Sequence, residues 1–462
     1  MFSCMMSVVF KNTNGWLLDA CSLVNQGVQL CTSAGKAAKE KSYFKCCFKQ
    51  QCFKVLTSHV NVSGTNDISI PDRLLVLQGS ENDASVHFNR SKRRKRKRSE
   101  MNQGEIDSLA YHLKIRSAIA EGTKSLVDAG LSCGYLSDVK EENEPLPSQE
   151  CNLAALCDMA KGLPLVADIS QVQFIRPEDG CSTTHLELFT QVTESCMDCA
   201  VELTLMGQKY IIPPRCSFLL SDLTRIQPLV DYGKLFNLIV MDPPWENKSV
   251  KRSGRYGFLP STQLKRLPIP LLAAAGCVVV TWVTNRSSHL RFVKDELYPH
   301  WGVEVLAEWF WVKVTNSGKY VFPLDSPHKK PYEVLVLGRY RGSGDDSHRS
   351  RGNTELSMED QRVIVSVPSA LHSHKPSLSD VLKPYAGADA DCLELFARSL
   401  QPGWTSWGNE VIKFQHVSYY TVELTSAPTD KSIDEDVGDP TDPSPEADLP
   451  PPPPPPAPQY LV

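Results

Sequence analysis

The chain has 462 residues, enough for two or three domains, and its composition of 41% hydrophobic and 22% charged residues is that of an ordinary soluble protein. No stretch approaches the roughly eighteen apolar residues of a membrane span, and the start MFSCMMSVVF lacks the charged opening of a secretory signal, so neither is expected. The net charge of −4 conceals a basic segment and an acidic tail that nearly cancel.

Residues 1–100 are predicted to be a poorly ordered region. Up to residue 89 they mix Cys, Lys, Ser and Asn without a sustained hydrophobic period. Residues 90–98, RSKRRKRKR, carry eight basic groups in nine positions and must be solvated. This run predicts a nuclear-localisation signal with some phosphate affinity, and a merely soluble linker is the alternative. We expect a nuclear protein, and a cytosolic pool is compatible with the same sequence.

Residues 101–205 are predicted to form a small, mainly helical accessory domain. Apolar residues recur at helical spacing from Ile106 to Leu131, and Gly130 is the expected helix terminator. A second helical stretch follows at CNLAALCDMAKGL. Fifteen cysteines without a secretory signal indicate reduced thiols, and the single CxxC pair, Cys196 and Cys199, has no partner pair at zinc-ribbon distance. Free thiols are therefore expected.

Residues 206–420 show the pattern of an α/β sandwich. Several strand-like runs are continuously apolar, as expected when helices cover both faces of a sheet, and amphipathic stretches lie between them. A polar stretch at 341–360 is expected to be a surface loop. The predicted strands are FNLIVM, GCVVVTWVT, VEVLAEWFWVKV, YEVLVLGRY, RVIVSVP and CLELFAR.

The tail, residues 421–462, contains nine acidic residues against one lysine and ends in a run of seven prolines at 450–456. This composition predicts a disordered, polyproline II segment. It is either a ligand for a proline-binding module or a passive tail.

The stretch FNLIVMDPPW, residues 236–245, contains the candidate catalytic residues. Ligands of open α/β sheets bind beyond the carboxyl ends of the strands, where Asp242, Pro243, Pro244 and Trp245 are placed. The prolines end the strand and offer carbonyl acceptors without N–H donors. With the Asp242 carboxylate, such a turn is suited to an –NH₂ group, and Trp245 offers a face for a planar ring. An amine on a flat heterocycle indicates adenine or cytosine, whereas a capped Pro-Pro turn is the purely structural alternative.

The DPPW tetrapeptide on an apolar strand resembles the eukaryotic adenosine N(6)-methyltransferases. The resemblance covers residues 200–418 strongly and 102–131 weakly, and it extends to NKSVKRS, TWVTNR, FPLDSPHKKPYE, LHSHKP and ELFARSLQPGWTSWGNEV. Within that family the chain resembles the branch that acts without a catalytic paralogue, which implies a monomer. The resemblance also implies a Rossmann-like fold and S-adenosylmethionine as methyl donor, with no metal.

The resemblance assigns roles to particular positions. Asp242 and the Pro243 carbonyl would hydrogen-bond the amino hydrogens of the substrate. Lys375 would pair with the methionine carboxylate of the donor, while Leu400 and Glu410 depart from the His and Gln of mRNA-type relatives. The positions implied to bind the donor are Asp222, Lys375, Glu394, Arg398, Gln401, Asn409 and Glu410.

Basic and aromatic residues follow the tetrapeptide in ENKSVKRSGRYGF, as suits a single strand or a flipped-out base. HKK at 328–330, with Tyr332, is expected to form the facing wall. A solvated loop is the alternative for both. The candidate substrate-binding residues are Lys248, Lys251, Arg252, Arg255 and Tyr256.

The resemblance implies methylation of the exocyclic amine of adenosine in small nuclear RNA, at a 2′-O-methylated nucleotide. Adenine in DNA is the alternative substrate of the same branch. Two alternatives belong to another class, namely a catalytically silent nucleic-acid-binding scaffold and a nuclear adaptor. The intact tetrapeptide argues against the scaffold, and the central α/β region is left unexplained by an adaptor.

Overall fold

The computed structural model describes residues 7–33, 43–59, 102–138, 145–147, 152–163, 172–176, 186–246, 259–326, 329–342, 358–387 and 389–424. Within these ranges, no helix is both long and apolar enough to span a bilayer. The basic run at 90–98 and the proline-rich part of the tail lie outside the described residues.

Seventeen strands are present in the described ranges. In chain order they are β1 (Val8–Asn12), β2 (Gly15–Leu18), β3 (Cys31–Ser33), β4 (Tyr43–Phe48), β5 (Val172–Ile175), β6 (Val192–Ser195), β7 (Ala200–Leu205), β8 (Gln208–Ile212), β9 (Ser217–Leu219), β10 (Phe236–Met241), β11 (Ala273–Val283), β12 (Val303–Lys313), β13 (Tyr332–Tyr340), β14 (Val363–Ser366), β15 (Cys392–Leu395), β16 (Trp404–Trp407) and β17 (Tyr420–Leu424).

The α-helices in the same ranges are α1 (Ala20–Asn25), α2 (Gln103–Ser132), α3 (Leu153–Ala160), α4 (Gln227–Asp231), α5 (Ser261–Leu264), α6 (Ile269–Leu272), α7 (Ser287–Arg291), α8 (Tyr298–Trp301) and α9 (Ser379–Ala386). A π-helical turn, Phe292–Leu297, joins α7 to α8. Short 3₁₀ turns occur at Gln50–Phe53, Leu223–Arg225, Lys413–Gln415 and Val417–Tyr419.

A twelve-stranded mixed sheet organises the molecule, in the order β1-β2-β14-β12-β13-β11-β10-β15-β16-β9-β6-β5. β10 is central and pairs in parallel with β11 and β15, and β15 continues in parallel to β16 and then β9. β13 runs antiparallel between β11 and β12. The carboxyl ends of the parallel strands and the start of β13 therefore meet at one edge, which confirms the predicted α/β fold.

Alternation along β10 explains why its sequence is almost entirely apolar. Ile239 and Met241 belong to one buried cluster, while Leu238 and Val240 belong to a second cluster on the other face. Because both faces of the strand are buried, side chains that point to either face must be apolar. The predicted strand FNLIVM matches β10 residue for residue.

Helix α2 begins with a capping box. The Asn102 side chain accepts from the Glu105 N–H, and the Glu105 side chain accepts from the Asn102 N–H. The prediction that Gly130 ends this helix is wrong. Gly130 lies inside it, where a Cβ would come within 2.6 Å of Leu17 Cδ2, and the left-handed residue after the helix is Gly134, with φ +77°.

The prediction that residues 1–100 are poorly ordered is wrong for their described parts. β2 extends the large sheet by pairing in parallel with β14, and Trp16, Leu17 and Leu18 are buried. β3 and β4 join a second, five-stranded sheet of order β17-β4-β3-β7-β8. The error arose because these strands are short and separated, so no hydrophobic period is sustained over the window that sequence reasoning uses.

The expected boundary at 205 does not separate independent units, because residues on both sides belong to one compact unit. β6 lies in the large sheet beside β9, and β7 pairs with β8 across the expected boundary. Residues 101–205 also contain β5, β6 and β7 in addition to α2 and α3, so the region is not mainly helical throughout. β17 continues to Leu424 by pairing with β4, and it includes the first residues of the predicted tail.

Candidate active site

Asp242 lies immediately after β10, at the edge where the carboxyl ends of the parallel strands meet. Its N–H donates to the Leu395 carbonyl at 3.3 Å, which ties the turn to the end of β15. The Pro243 carbonyl accepts from the Trp245 N–H at 2.8 Å. Since a carbonyl oxygen has two lone pairs, one acceptor site on Pro243 remains beside the Asp242 carboxylate.

Two cations face the Asp242 carboxylate. Lys375 Nζ lies 3.2 Å from Asp242 Oδ2, and an Arg398 guanidinium nitrogen lies 3.5 Å from the same oxygen. Lys375 follows β14 and Arg398 follows β15, so the fold brings together three residues that are far apart in the sequence. The structure thus places two of the predicted donor-binding residues beside Asp242, a contact that the sequence did not predict.

Lys375 also contacts Glu333, with 3.0 Å between Nζ and Oε2, and Glu333 contacts Lys313 on the neighbouring strand β12. Burial alone would raise the pKa of Glu333, but Lys375 and Lys313 hold it at about 2. Burial would likewise lower the pKa of Lys375, and Asp242 and Glu333 raise it instead. Glu333 and Lys375 therefore stay charged near neutral pH.

Arg398 links this network to the end of β16. Its Nε lies 3.1 Å from Glu410 Oε2, and Lys413 Nζ lies 2.7 Å from Glu410 Oε1. Burial raises the pKa of Glu410, but Lys413 and Arg398 outweigh it, and the net shift is downward. The predicted donor residue Glu410 is thus present as a buried, ionised carboxylate.

Glu394 and Gln401 form a separate polar pair. Gln401 Nε2 donates to Glu394 Oε2 at 2.8 Å, and the Gln401 amide oxygen accepts from the Ser377 hydroxyl. Burial, with a smaller contribution from Asp242, raises the pKa of Glu394 to about 7. These residues line a cavity of about 340 Å³ between the sheet, α1 and α9, and Lys375 lines both this cavity and the one at Asp242.

Asp222 and Asn409 lie outside the residues that line either cavity. Asp222 Oδ2 is 2.6 Å from Lys161 Nζ, and the Cys157 thiol on α3 contacts the Asn409 carbonyl at 3.6 Å. Both positions do follow strands at the same edge, β9 and β16. Their role in binding the donor stays a prediction.

Trp245 is only 6% exposed, which narrows its predicted role as a stacking surface. Its indole N–H donates to the Trp282 carbonyl at 2.8 Å, and His289 stacks on one face with 4.8 Å between ring centroids. Burial lowers the pKa of His289 to about 4, so that ring is neutral. His289 therefore occupies one face of the indole, and little of the ring is exposed for a base to stack on.

The cavity at Asp242 has a volume of about 430 Å³. Across from the tetrapeptide it is lined by Phe322, Lys329 and Lys330 from the segment between β12 and β13, and by Tyr332 at the start of β13. Of the expected facing wall, Lys329, Lys330 and Tyr332 therefore line the cavity, and His328 lies outside the described residues. The predicted substrate residues Lys248, Lys251, Arg252, Arg255 and Tyr256 lie outside the described residues.

Glu333 was missed by sequence reasoning. It sits near the start of β13, and an isolated Glu in YEVLVLG resembles a solvent-facing strand position. Because β13 is antiparallel to β11 and β12, its beginning reaches the edge where the other strands end. Recognising β13 as antiparallel would have identified Glu333 as a site candidate.

No cluster of three His, Cys, Asp or Glu side chains suited to a metal ion occurs in the described part of the chain. Cys196 and Cys199 are free thiols, as predicted.

Comparison with known proteins agrees with this geometry. The MT-A70 family model matches residues 236–410, which include the tetrapeptide, Lys375, Arg398 and Glu410. The chain is 53% identical over 334 residues to the N(6)-adenine-specific methyltransferase METTL4 of Homo sapiens, covering 71% of each chain. It is 35% identical over 245 residues to the N6-methyladenosine RNA methyltransferase MTA1 of Pyricularia oryzae, covering 51% of this chain and 62% of that protein.

A further relative is the DNA N6-methyl methyltransferase of Caenorhabditis elegans, 35% identical over 221 residues, with 47% of this chain and 58% of that protein covered. The similarity to METTL4 confirms the family branch that the motifs predicted.

Proposed function

The chain belongs to the MT-A70 family and is an S-adenosylmethionine-dependent N(6)-adenine methyltransferase acting on nucleic acid, and we propose that its substrate is adenosine in RNA. The observation that supports a nucleoside substrate most directly is the cavity of about 430 Å³ with acceptor groups at Asp242 and Pro243. A cavity of this size suits one nucleotide lifted from a strand.

The residues of the cavity orient the amine for attack. The Asp242 carboxylate and the free lone pair of the Pro243 carbonyl accept the two N6 hydrogens, which aligns the nitrogen lone pair. The donor supplies an electrophilic methyl group. Lys375 and Arg398 hold the Asp242 carboxylate in place, at 3.2 and 3.5 Å. Their contribution is positioning and preorganised electrostatics, since methyl transfer requires no covalent step on the protein.

The charge balance of the site fits the donor. The network contains four cations, Lys313, Lys375, Arg398 and Lys413, against the three carboxylates of Asp242, Glu333 and Glu410. The excess positive charge is suited to the methionine carboxylate, for which Lys375 is the proposed partner. Glu394 and Gln401 supply the carboxyl and amide groups that ribose hydroxyls prefer.

We further propose that the target is a 2′-O-methylated adenosine of small nuclear RNA and that the protein works in the nucleus. The motif resemblance and the relative in Pyricularia oryzae that is named an RNA methyltransferase support RNA. The basic run at 90–98 supports the nuclear location. The second candidate is adenine in DNA, which the name of the Caenorhabditis elegans relative favours.

Methylation of three matched oligonucleotides tests the substrate class. An RNA strand, the same RNA with a 2′-O-methyl group on the target adenosine, and the corresponding DNA strand are incubated with labelled S-adenosylmethionine, and the product nucleosides are identified. We expect N6-methylated product mainly from the 2′-O-methylated RNA. A preference for the DNA strand, or equal rates on all three, would contradict the proposal.

A further inference from the structure

Six lysine and arginine side chains line the cavity at Asp242, and they fall into two groups according to whether they pair with a carboxylate. Lys313, Lys375, Arg398 and Lys413 each form an ion pair with a carboxylate of the site. The other two are Lys329 and Lys330, which precede β13. Among the described residues, neither forms an ion pair with a carboxylate.

The contacts of these two lysines are weak ones. Lys330 Nζ lies 3.5 Å from the Leu324 carbonyl, and burial lowers its pKa, as expected for a cation that is partly desolvated without a strong partner. Lys329 Nζ lies 5.4 Å from the centre of the Phe322 ring. The nearby carboxylate of Asp325 is already bound by Arg116, at 2.7 Å, and by His112, at 3.0 Å. Lys329 and Lys330 are therefore available to pair with an external anion in addition to the donor.

An aromatic pair stands beside them. The rings of Phe322 and His59 are stacked, with 4.9 Å between centroids and 19° between planes. The segment carrying His59 is fixed to the loop, since the His59 N–H donates to the Val321 carbonyl at 2.9 Å and the Ser58 hydroxyl donates to the Tyr320 carbonyl at 2.6 Å. Phe322 lines the cavity and His59 is exposed, so the pair leads from the cavity to solvent.

We propose that His59, Phe322, Lys329 and Lys330 form a ledge that binds the single strand next to the target adenosine. The two lysines contact backbone phosphates, and the His59–Phe322 pair stacks on a neighbouring base. Both interactions are typical of single-stranded nucleic acid, whose bases expose their faces. This inference rests on the proposed function and extends it, because it gives the N-terminal segment a direct part in substrate binding.

Binding of a short fluorescent RNA, measured by anisotropy over a series of salt concentrations with S-adenosylhomocysteine present, tests the ledge. The binding constant K falls as salt rises, and each lost phosphate contact to a single strand reduces the magnitude of the slope of log K against log salt by about 0.7. The double variant Lys329→Gln/Lys330→Gln should therefore show a slope smaller by about 1.4, and Lys329→Gln alone a slope smaller by about 0.7. The same changes are expected with a DNA strand, since phosphates and base faces are common to both.

The charge-matched control is Lys124→Gln/Lys209→Gln, which removes two exposed lysines outside the cavity and should leave the slope unchanged. His59→Ala should weaken binding about fivefold to a hundredfold with little change of slope, because it removes stacking and no cation that contacts phosphate.

RNA binding is measured in the absence of methyl transfer, so the experiment distinguishes a failure of the proposed ledge from a failure of the proposed function. A wild-type protein that binds RNA but makes no methylated adenosine contradicts the proposed function. The ledge is then still tested by the salt dependence of RNA binding in the lysine variants. A double lysine variant that keeps the wild-type slope and affinity overturns the ledge. Circular dichroism of each variant establishes that it is folded.

Discussion

The charged side chains next to Asp242 form a chain of shared ion pairs. Asp242 shares Lys375 with Glu333, and it shares Arg398 with Glu410. Removing one member of such a partly buried network leaves its partners uncompensated, which costs more than the direct contact suggests. The arrangement therefore fixes the position of the Asp242 carboxylate.

Glu394 differs from these carboxylates because no cation pairs with it directly in the described structure, and its pKa rises to about 7 from an ordinary 4.5. Between these values the folded protein holds a proton that the unfolded chain has lost. The corresponding stability is fully present below about pH 4.5 and is lost as the pH rises through 7.

Glu394→Gln should remove this pH dependence, because Gln mimics the protonated side chain. As the pH is raised from 5.5 to 8, wild type should lose about 2 kcal/mol of its free energy of unfolding through Glu394, and the variant should not show this loss. Urea unfolding at both pH values measures the change, with the exposed Glu423→Gln as control. Identical pH profiles for Glu394→Gln and wild type would show that Glu394 is ionised throughout this range.

At the element scale, β2 depends on a close approach to β14. Gly15 pairs with Val363, and a Cβ on Gly15 would lie 1.7 Å from the Val363 carbonyl oxygen. Only glycine can occupy this position without moving one strand from the other. The buried Trp16, Leu17 and Leu18 follow directly, so the position of Gly15 determines how the edge of the large sheet is packed.

Gly15→Ala should destabilise the protein by more than about 2 kcal/mol, because β2 must shift away from β14 and loosen its buried residues. Gly207→Ala is the matched control. Gly207 also has positive φ, at +74°, but a Cβ there meets nothing within 4 Å, and the expected cost is about 1 kcal/mol of backbone strain. Urea unfolding compares the two variants, and equal losses of stability would contradict the close packing of β2.

The elements that could be predicted from sequence are those with a continuous signal. The predicted segments agree with the observed strands β10 and β13, and the helical spacing from Ile106 to Leu131 identified the helix α2, which is observed over Gln103–Ser132. β1 to β4 escaped prediction because strands of three to six residues give little periodicity and their partners lie far along the chain. Their pairing with β14, β7 and β17 is a tertiary effect.

At the scale of the whole molecule, the N-terminal segments complete the enzyme. β1 and β2 close one side of the large sheet, α2 binds the segment before β13 through His112 and Arg116, and His59 stacks on the same segment. Asp242 and Arg398 were identified because their motifs lie at the ends of recognisable strands, and Lys375 was identified from the motif LHSHKP. The contribution of the N-terminal region could not be predicted from sequence, because it depends on contacts between residues more than two hundred positions apart.

We propose that Asp242 aligns the adenine amine for methyl transfer, and a comparison of wild type with Asp242→Ala tests this role most directly. Methylated nucleosides formed from labelled S-adenosylmethionine are identified, donor binding is measured by calorimetry, and Asp198→Ala, an exposed carboxylate outside the site, is the control. We predict N6-methyladenosine from wild type and control, and at least about a hundredfold loss for Asp242→Ala in a folded protein that still binds donor. Near wild-type activity of Asp242→Ala, or a methyl group on another atom of the base, would contradict this role of Asp242.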